Sequence, residues 1–100
     1  MKLHAGCRPR AGADVSGEIA RLAHDEMRAL WELYCDGVVR EMYSPGGPGA
    51  VLVLEVPAAR DAEAAVASLP LAAAGVIEFE LIELHPFTAF GVLFAGQQRA

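Results

Sequence analysis

Residues 69–86 read LPLAAAGVIEFELIELHP, and this stretch decides the fold that the sequence predicts. Pro70 closes a preceding helix, because proline lacks the N–H that a helix needs and restricts the residue before it. A short loop follows. Residues 76–84 then have the composition of a strand, and the two-residue period of a strand puts Glu78 and Glu80 on one face. The stretch predicts a helix end, a loop and a last strand with two carboxylates.

The remaining elements follow from hydrophobic periodicity and turn residues. The sequence predicts a strand over 2–7, a helix capped by Asp14 or Ser16 that ends before Gly37, strands over 38–44 and 50–56, and an alanine-rich helix over 61–69. This order, βαββαβ, is the ferredoxin-like arrangement. We therefore expect residues 1–86 to be one α+β domain, an antiparallel sheet with two helices on one face. The other face also needs cover, so two sheets are expected to pack together as a dimeric α/β barrel.

The first helix carries an amphipathic stripe that is expected to face the sheet. Its apolar positions repeat at three and four residues, as in a half-buried helix. They are Val15, Ile19, Leu22, Ala23, Met27, Leu30 and Tyr34, and Trp31 and Leu33 widen the stripe. This pattern places Trp31 in the core.

The composition points to self-association. Of the 100 residues, 54% are hydrophobic, although a chain of this length has only a small core. No run reaches the roughly 18–20 apolar residues of a membrane span, and the N-terminus has no signal-peptide pattern. Residues 87–100 follow a complete fold and begin with an apolar segment. We expect an arm that packs on a partner subunit of a dimer or ring of dimers; the alternative is a strand folding back on its own domain.

Charge and cysteine usage exclude several classes of function. The net charge is −5, and the eight basic residues form no stripe, so neither nucleic acid nor an anionic membrane surface is expected as a partner. Cys7 and Cys35 have no metal-binding spacing and are expected to be free thiols packed as small hydrophobes. We expect a cytoplasmic protein with a small-molecule ligand.

Strand parity brings a histidine close to the two carboxylates of the last strand. The apolar set of the first strand faces the helices, so His4 points to the opposite face, and Glu78 and Glu80 join it there. The first and last strands are neighbours in this topology. A carboxylate beside an imidazole fixes its tautomer and raises its basicity, as a proton-transfer group requires. The alternative is a solvated polar edge or an intersubunit salt bridge.

The second strand offers Glu41 and Tyr43, which share a face and can reach one ligand. Strict alternation puts Val39 on that face too and Met42 on the other, so the pattern does not decide which face looks into a cleft. The alternatives are an exposed strand charge for Glu41 and a packed aromatic for Tyr43. On the first helix, Glu26 borders the apolar stripe and could reach the cleft mouth.

Sequence motifs for phosphate binding, zinc hydrolysis and nucleophilic serine chemistry are missing. The cysteines and histidines have no metal-ligand spacing. The sequence therefore favours either cofactor-free chemistry or no chemistry, and we expect neither a metal nor an organic cofactor.

The pattern resembles the muconolactone isomerases and their small relatives across most of the chain. The resemblance is carried by His4, the acidic residues near Glu26, Gly37, Leu69-Pro70-Leu71, Glu78 with Glu80, and His85-Pro86. It implies the dimeric α/β-barrel fold, rings of dimers, and cofactor-free transfer of a proton along a lactone. The chain departs from the family at 40–44, which reads REMYS where the isomerases are richer in His, Trp and Arg, and at the turn 45–49.

These observations lead to one functional hypothesis and two alternatives. The hypothesis is a cofactor-independent, isomerase-like enzyme acting on a small oxygenated ring compound. His4 is its base or orienter, Glu78 or Glu80 sets the tautomer, and Glu41 with Tyr43 handles the second proton. The alternatives are a non-catalytic binding or oligomerisation module, and a cofactor-free monooxygenase or cyclase of the same fold in a secondary-metabolite pathway.

Overall fold

A computed structural model describes residues 1–12 and 14–97. The main elements, numbered in chain order, are β1 (Lys2–Pro9), α1 (Val15–Cys35), β2 (Val39–Tyr43), β3 (Ala50–Glu55), α2 (Ala59–Ala67), α3 (Pro70–Ala73) and β4 (Ile77–Leu84). Consecutive 3₁₀ turns over Ala89–Gln97 follow. The predicted order of strands and helices is confirmed.

The four strands form one antiparallel sheet in the order β2-β3-β1-β4. β1 lies between β3 and β4, with Ala5 opposite Leu52 on one side and Leu81 on the other. The first and last strands are thus neighbours, and the predicted ferredoxin-like sheet is confirmed.

The core lies between the sheet and the helices on one face. Residues of alternating parity on each strand point into it, as the strand period requires. The buried side chains include Leu3, Ala5 and Cys7 of β1, Leu52 and Leu54 of β3, Val39 of β2, Ile77 of β4, Ala62 and Val66 of α2, and Leu71 of α3. We call this side of the sheet the helix face and the other side the open face.

Helix α1 is rotated relative to the predicted stripe. Met27 is 58% exposed, Trp31 62% and Tyr34 46%, so the placement of Trp31 in the core is wrong. The packed side is instead the stripe Ile19, Leu22, Glu26, Ala29, Leu30 and Leu33. Two apolar stripes run along α1, and only one of them can face the sheet. The aliphatic stripe packs there, while the aromatic stripe is left outside.

The second predicted helix is divided at Pro70. Helix α2 ends at Ala67, and Pro70 begins the short helix α3 in addition to ending the run before it. Proline is well suited to the first turn of a helix, where its missing N–H has no partner to lose. The division turns Leu71 into the core and points its backbone N–H towards α1.

A β-bulge in β2 separates side chains that strict alternation would put on the same face. Val39 pairs with Leu54 on the helix face, whereas Glu41 pairs with Val53 on the open face. The register shift between Val39 and Glu41 accommodates Arg40 as an extra residue. The prediction that Val39 shares a face with Glu41 is therefore wrong. Because of the bulge, Glu41 and Tyr43 lie on the open face, which the sequence pattern did not decide.

The segment after β4 leaves its apolar side chains exposed. Phe87, Phe90, Val92, Leu93 and Phe94 are between 51% and 78% exposed. The radius of gyration is 17.2 Å, against about 13 Å for a compact chain of this length. No strand folds back on the sheet over 87–97, so that alternative is not seen. No helix of the described residues is long and apolar enough to cross a membrane.

Candidate functional site

The register arranges the open face in two cross-strand rows. One row runs Glu41, Val53, His4 and Ile82, and the other runs Tyr43, Val51, Gly6 and Glu80. His4 therefore stands near the centre of an apolar surface, with acidic residues towards both edges. The imidazole lies directly beside Gly6, since a Cβ on Gly6 would make an ordinary van der Waals contact of 3.6 Å with Cε1 of His4. The predicted placement of His4 and Glu80 on one face is seen.

A pocket of about 270 Å³ opens on this face beside His4. Its lining is His4, Gly6, Cys7, Arg8, Pro45, Ala50, Val51, Glu80 and Ile82. Nδ1 of His4 is buried and has no hydrogen-bond partner among the described residues. A buried polar atom without a partner costs free energy unless something binds it. The imidazole of His4 lines the pocket, while its Nδ1 atom is itself buried.

Glu41 and Tyr43 form a separate pair on the edge strand. The Tyr43 hydroxyl donates to Oε1 of Glu41 at 2.6 Å, and this hydrogen bond raises the pKa of Tyr43 above its usual value. Two strand spacings separate the pair from His4, about 10 Å. Neither residue lines the open-face pocket of His4. The structure thus places them on the open face with His4, the face that the sequence pattern left undecided, without bringing them to the imidazole.

Glu78 is engaged elsewhere. Its Oε1 accepts a hydrogen bond from Nε of Arg8 at 3.0 Å, in an exposed ion pair. Arg8 is four residues from His4 along β1, a distance of about 13 Å. The structure therefore does not join Glu78 to the imidazole, and Glu80 is the carboxylate that shares its pocket.

Glu26 of α1 lies on the helix face and is 8% exposed. Among the described residues it is the one charged side chain that is buried. Its Oε1 accepts the backbone N–H of Leu71 at 2.9 Å. Burial raises the pKa of Glu26, and the Leu71 hydrogen bond lowers it by a smaller amount. None of the described cations forms an ion pair with it. A buried carboxyl with a raised pKa is suited to hold and release a proton.

Cys7 lies close enough to Glu26 to feel its charge. Burial, and then the negative charge of Glu26, raise the pKa of the Cys7 thiol to about 11. A thiol with this pKa is protonated at neutral pH and is a poor nucleophile. Both cysteines are free, and Cys7 is buried as expected. Cys35 is exposed, so the expectation that it packs as a small hydrophobe is wrong.

A second pocket, of about 240 Å³, lies on the helix face beside Glu26. It is lined by Cys7, Ile19, Met27, Gly47, Pro48, Gly49, Ala50, Leu71 and Ile77. These residues include Cys7 and Leu71, the two neighbours of the Glu26 carboxyl. Both pockets are smaller than the roughly 300–1,000 Å³ typical of sites for drug-sized ligands, so each suits a smaller molecule.

The turn between β2 and β3 borders both pockets. Pro45 lines the open-face pocket, and Gly47, Pro48 and Gly49 line the helix-face pocket. Gly49 has φ +120°, and a Cβ on it would collide with the carbonyl oxygen of Cys7. This close approach holds the turn against β1. The two pockets lie on opposite sides of the sheet at this point.

Glu26 is a candidate functional residue that the sequence pattern placed only at the border of the apolar stripe of α1. The sequence contained a signal for a buried carboxylate at this position. Glu26 occupies the middle position, at helical spacing, of a stripe formed by Ile19, Leu22, Leu30 and Leu33. A carboxylate in phase with a buried stripe is costly and points to function. The aromatic stripe of Met27, Trp31 and Tyr34 runs beside it, so the periodicity alone did not show that the stripe with Glu26 faces the sheet. The described residues contain no cluster of three or more potential metal ligands.

Comparison with known proteins defines the class by its fold. The architecture is the ferredoxin-like α+β fold of muconolactone isomerase, which confirms the resemblance at the level of fold. The muconolactone isomerase structure superposes with a TM-score of 0.68 at 20% identity, covering 87% of this chain and 91% of that one. The 5-chloro-2-hydroxyhydroquinone dehydrochlorinase of Burkholderia phenoliruptrix AC1100, in complex with 2,5-dihydroxybenzoquinone, gives 0.66 at 13% identity, covering 89% and 98%.

No protein-family model and no curated protein sequence matches the chain. The structural neighbours are less than 25% identical to it, so they show a shared fold. The chemistry has to be argued from the residues of this chain.

Proposed function

We propose that the chain is an enzyme that transfers a proton on a small oxygenated ring compound without a metal or organic cofactor. The observation that carries this proposal is Glu26, a buried carboxyl with a raised pKa and no cationic partner among the described residues, beside an apolar pocket. Two neighbours of this fold act on, or bind, small oxygenated rings by their names, which supports the same ligand class.

The Glu26 carboxyl serves as the proton carrier in this proposal. It removes a proton from a ring carbon or hydroxyl and returns it at a second position, so no oxidant or reductant is required. The Leu71 N–H holds Oε1 in place, which leaves Oε2 for the substrate. Burial brings the pKa closer to the working pH, where a general acid–base group is most effective.

The open face supplies the second set of proposed acid–base groups. His4 is the base or orienter there, and Glu80 lies in the same pocket. Glu41 with Tyr43 exchanges the second proton, and Glu78 acts through Arg8 at the rim. These five residues act on one ligand only if a second sheet covers the open face and brings the edge pair of one subunit towards the pocket of another.

We also propose that the protein is a homo-oligomer in which residues 87–97 form an arm on a partner subunit; the rest of the predicted arm, residues 98–100, lies outside the described residues. The exposed phenylalanines of this arm and the exposed stripe Met27, Trp31 and Tyr34 are apolar surfaces without cover. Surfaces of this kind mark interfaces. A cytoplasmic location is part of the same proposal.

Paired substitutions test the proposal and locate the site. Wild type, Glu26→Gln and His4→Gln are assayed with muconolactone, hydroxyhydroquinone and its 5-chloro derivative, with product detection by liquid chromatography. Glutamine keeps the shape of Glu26 and accepts the Leu71 hydrogen bond, but it cannot carry a proton. We expect Glu26→Gln to lower kcat by about 10²–10⁴-fold.

The two variants separate the two faces. A large loss in Glu26→Gln with a small one in His4→Gln places the chemistry on the helix face, and the reverse places it on the open face. Full activity in both variants contradicts the acid–base assignment. Binding without turnover of any compound in the panel favours the alternative of a non-catalytic binding module.

A further inference from the structure

We propose that the substrate is an uncharged ring compound that bears hydroxyl groups, and not a ring carboxylate. This inference rests on the proposed function and narrows its substrate class. It holds for either face of the sheet, because neither pocket has an unpaired Lys or Arg in its lining.

Neither pocket has an unpaired Lys or Arg in its lining. The helix-face pocket has no charged residue in its lining, and Glu26 lies next to it through the Leu71 contact. The open-face pocket contains Glu80, and its one Arg or Lys, Arg8, is already paired with Glu78 at 3.0 Å. A carboxylate ligand would meet the like charge of Glu80 in the open-face pocket and would find no cation in the helix-face pocket.

The other described cations are absent from the linings of both pockets; they are Lys2, Arg10, Arg21, Arg28, Arg40, Arg60 and the N-terminal ammonium. Lys2 lines a third pocket at the far end of the sheet with Leu84, His85 and Pro86, away from Glu26 and Glu80. The N-terminal ammonium is held by Glu55 at 2.6 Å, and Arg21 is paired with Glu18. Carboxylate recognition in proteins relies on Arg or Lys, and neither candidate pocket provides one that is not already paired.

Both pockets favour hydroxyl groups. The open-face pocket contains the Glu80 carboxylate, which can accept a hydrogen bond from a hydroxyl group. Next to the helix-face pocket, the Glu26 carboxyl that accepts the Leu71 N–H is the acceptor that we propose for a hydroxyl proton. The rest of each lining is mostly aliphatic or backbone, which suits the carbon frame of one ring.

Four matched ligands test the inference on the full chain by isothermal titration calorimetry. They are hydroquinone, 2,5-dihydroxybenzoate, the methyl ester of that acid, and 1,4-dimethoxybenzene. The ester matches the acid in size and removes its charge, and the dimethoxy compound keeps the ring and removes the hydroxyl hydrogens. Lys2→Gln is measured alongside wild type, so that acid bound at the third pocket is distinguished.

We expect hydroquinone and the ester to bind, and the acid to bind at least about tenfold more weakly than the ester in the Lys2→Gln variant. The dimethoxy compound should also bind more weakly than hydroquinone. Acid binding equal to or tighter than that of the ester overturns the inference and leaves the proposed function standing. Equal binding of hydroquinone and its dimethoxy analogue overturns the hydroxyl requirement. Binding of none of the four overturns the proposed function as well.

Discussion

Glu26 combines a structural cost with the chemical role that we propose for it. Its carboxyl lies among the aliphatic side chains of the helix face, and its Oε1 is held by the Leu71 N–H at 2.9 Å. Burying a carboxylate without a cation beside it is unfavourable. An apolar residue at this position would pack with less cost, and this is why we propose a role in proton transfer for the carboxyl.

The first prediction at this scale concerns the Cys7 thiol. Its pKa is about 11, raised by burial first and by the charge of Glu26 second. Glu26→Gln removes the charge and keeps the burial. The thiol pKa should therefore fall, yet stay above its ordinary value of 9.0. Thiolate absorbance against pH, in a Cys35→Ser background, measures it, and an unchanged pKa would show that Glu26 is too far from the thiol.

The second prediction concerns stability against pH. Glu26 has a folded-state pKa raised above 4.5 by burial. Its contribution to the free energy of unfolding is therefore full below the unfolded pKa and is lost as pH rises through the folded value. Relative to Glu26→Gln, wild type should lose stability as pH rises above about 4.5. Urea unfolding of both proteins from pH 4 to 8 measures the difference.

In both wild type and Glu26→Gln, the contribution of Glu55 to the free energy of unfolding changes with pH in the opposite direction to that of Glu26. Its pKa is lowered, mainly by the hydrogen bond from the N-terminal ammonium. The difference between the two proteins removes this contribution. A difference that is flat or rises with pH would mean that the pKa of Glu26 is not raised in the folded state.

At the scale of elements, sequence patterns predict order and topology better than they predict rotation and register. The βαββαβ order, and His4 opposite the helix face, follow from period-two and period-3.6 patterns that burial enforces. The bulge after Val39 does not follow, because one extra residue leaves no mark in composition. The rotation of α1 is missed for another reason, since two apolar stripes overlap and only packing against the sheet decides between them.

The third prediction concerns the turn that borders both pockets. Gly49→Ala places a Cβ against the carbonyl oxygen of Cys7 at a positive φ. We expect a loss of about 1–3 kcal/mol in the free energy of unfolding. Gly47→Ala is the matched control, because nothing lies within 4 Å of its added Cβ. Urea denaturation compares the two, and an equal effect of both substitutions would contradict the close approach at Gly49.

At the scale of the whole molecule, the chain has more apolar surface than its core can bury. The open-face residues Tyr43 and Ile82, the aromatic stripe of α1 and the apolar residues of 87–94 are exposed. The composition predicts this excess, but it cannot say which surfaces meet. Oligomer geometry depends on shape complementarity between folded subunits, and no period in the sequence records it.

The fourth prediction follows from that excess. The double substitution Phe90→Ser and Phe94→Ser removes two exposed aromatic rings from the arm. Burial of such rings is worth about 1.5–3 kcal/mol each, so the dissociation constant of the assembly should rise at least about 100-fold. Sedimentation velocity measures the mass. The control is Glu63→Ser with Ala64→Ser on the exposed side of α2, and a mass unchanged by the phenylalanine substitutions would rule out the arm as an interface.

The central claim is that this chain transfers protons on a small oxygenated ring, and deuterium exchange tests it most directly. The protein is incubated in D₂O with hydroxyhydroquinone, and loss of the ring C–H signals is followed by ¹H NMR. The account predicts exchange faster than in buffer for wild type, slowed by about 10²-fold or more in Glu26→Gln or His4→Gln according to the face that is used. Exchange by wild type at the buffer rate, with the ligand bound, would contradict it.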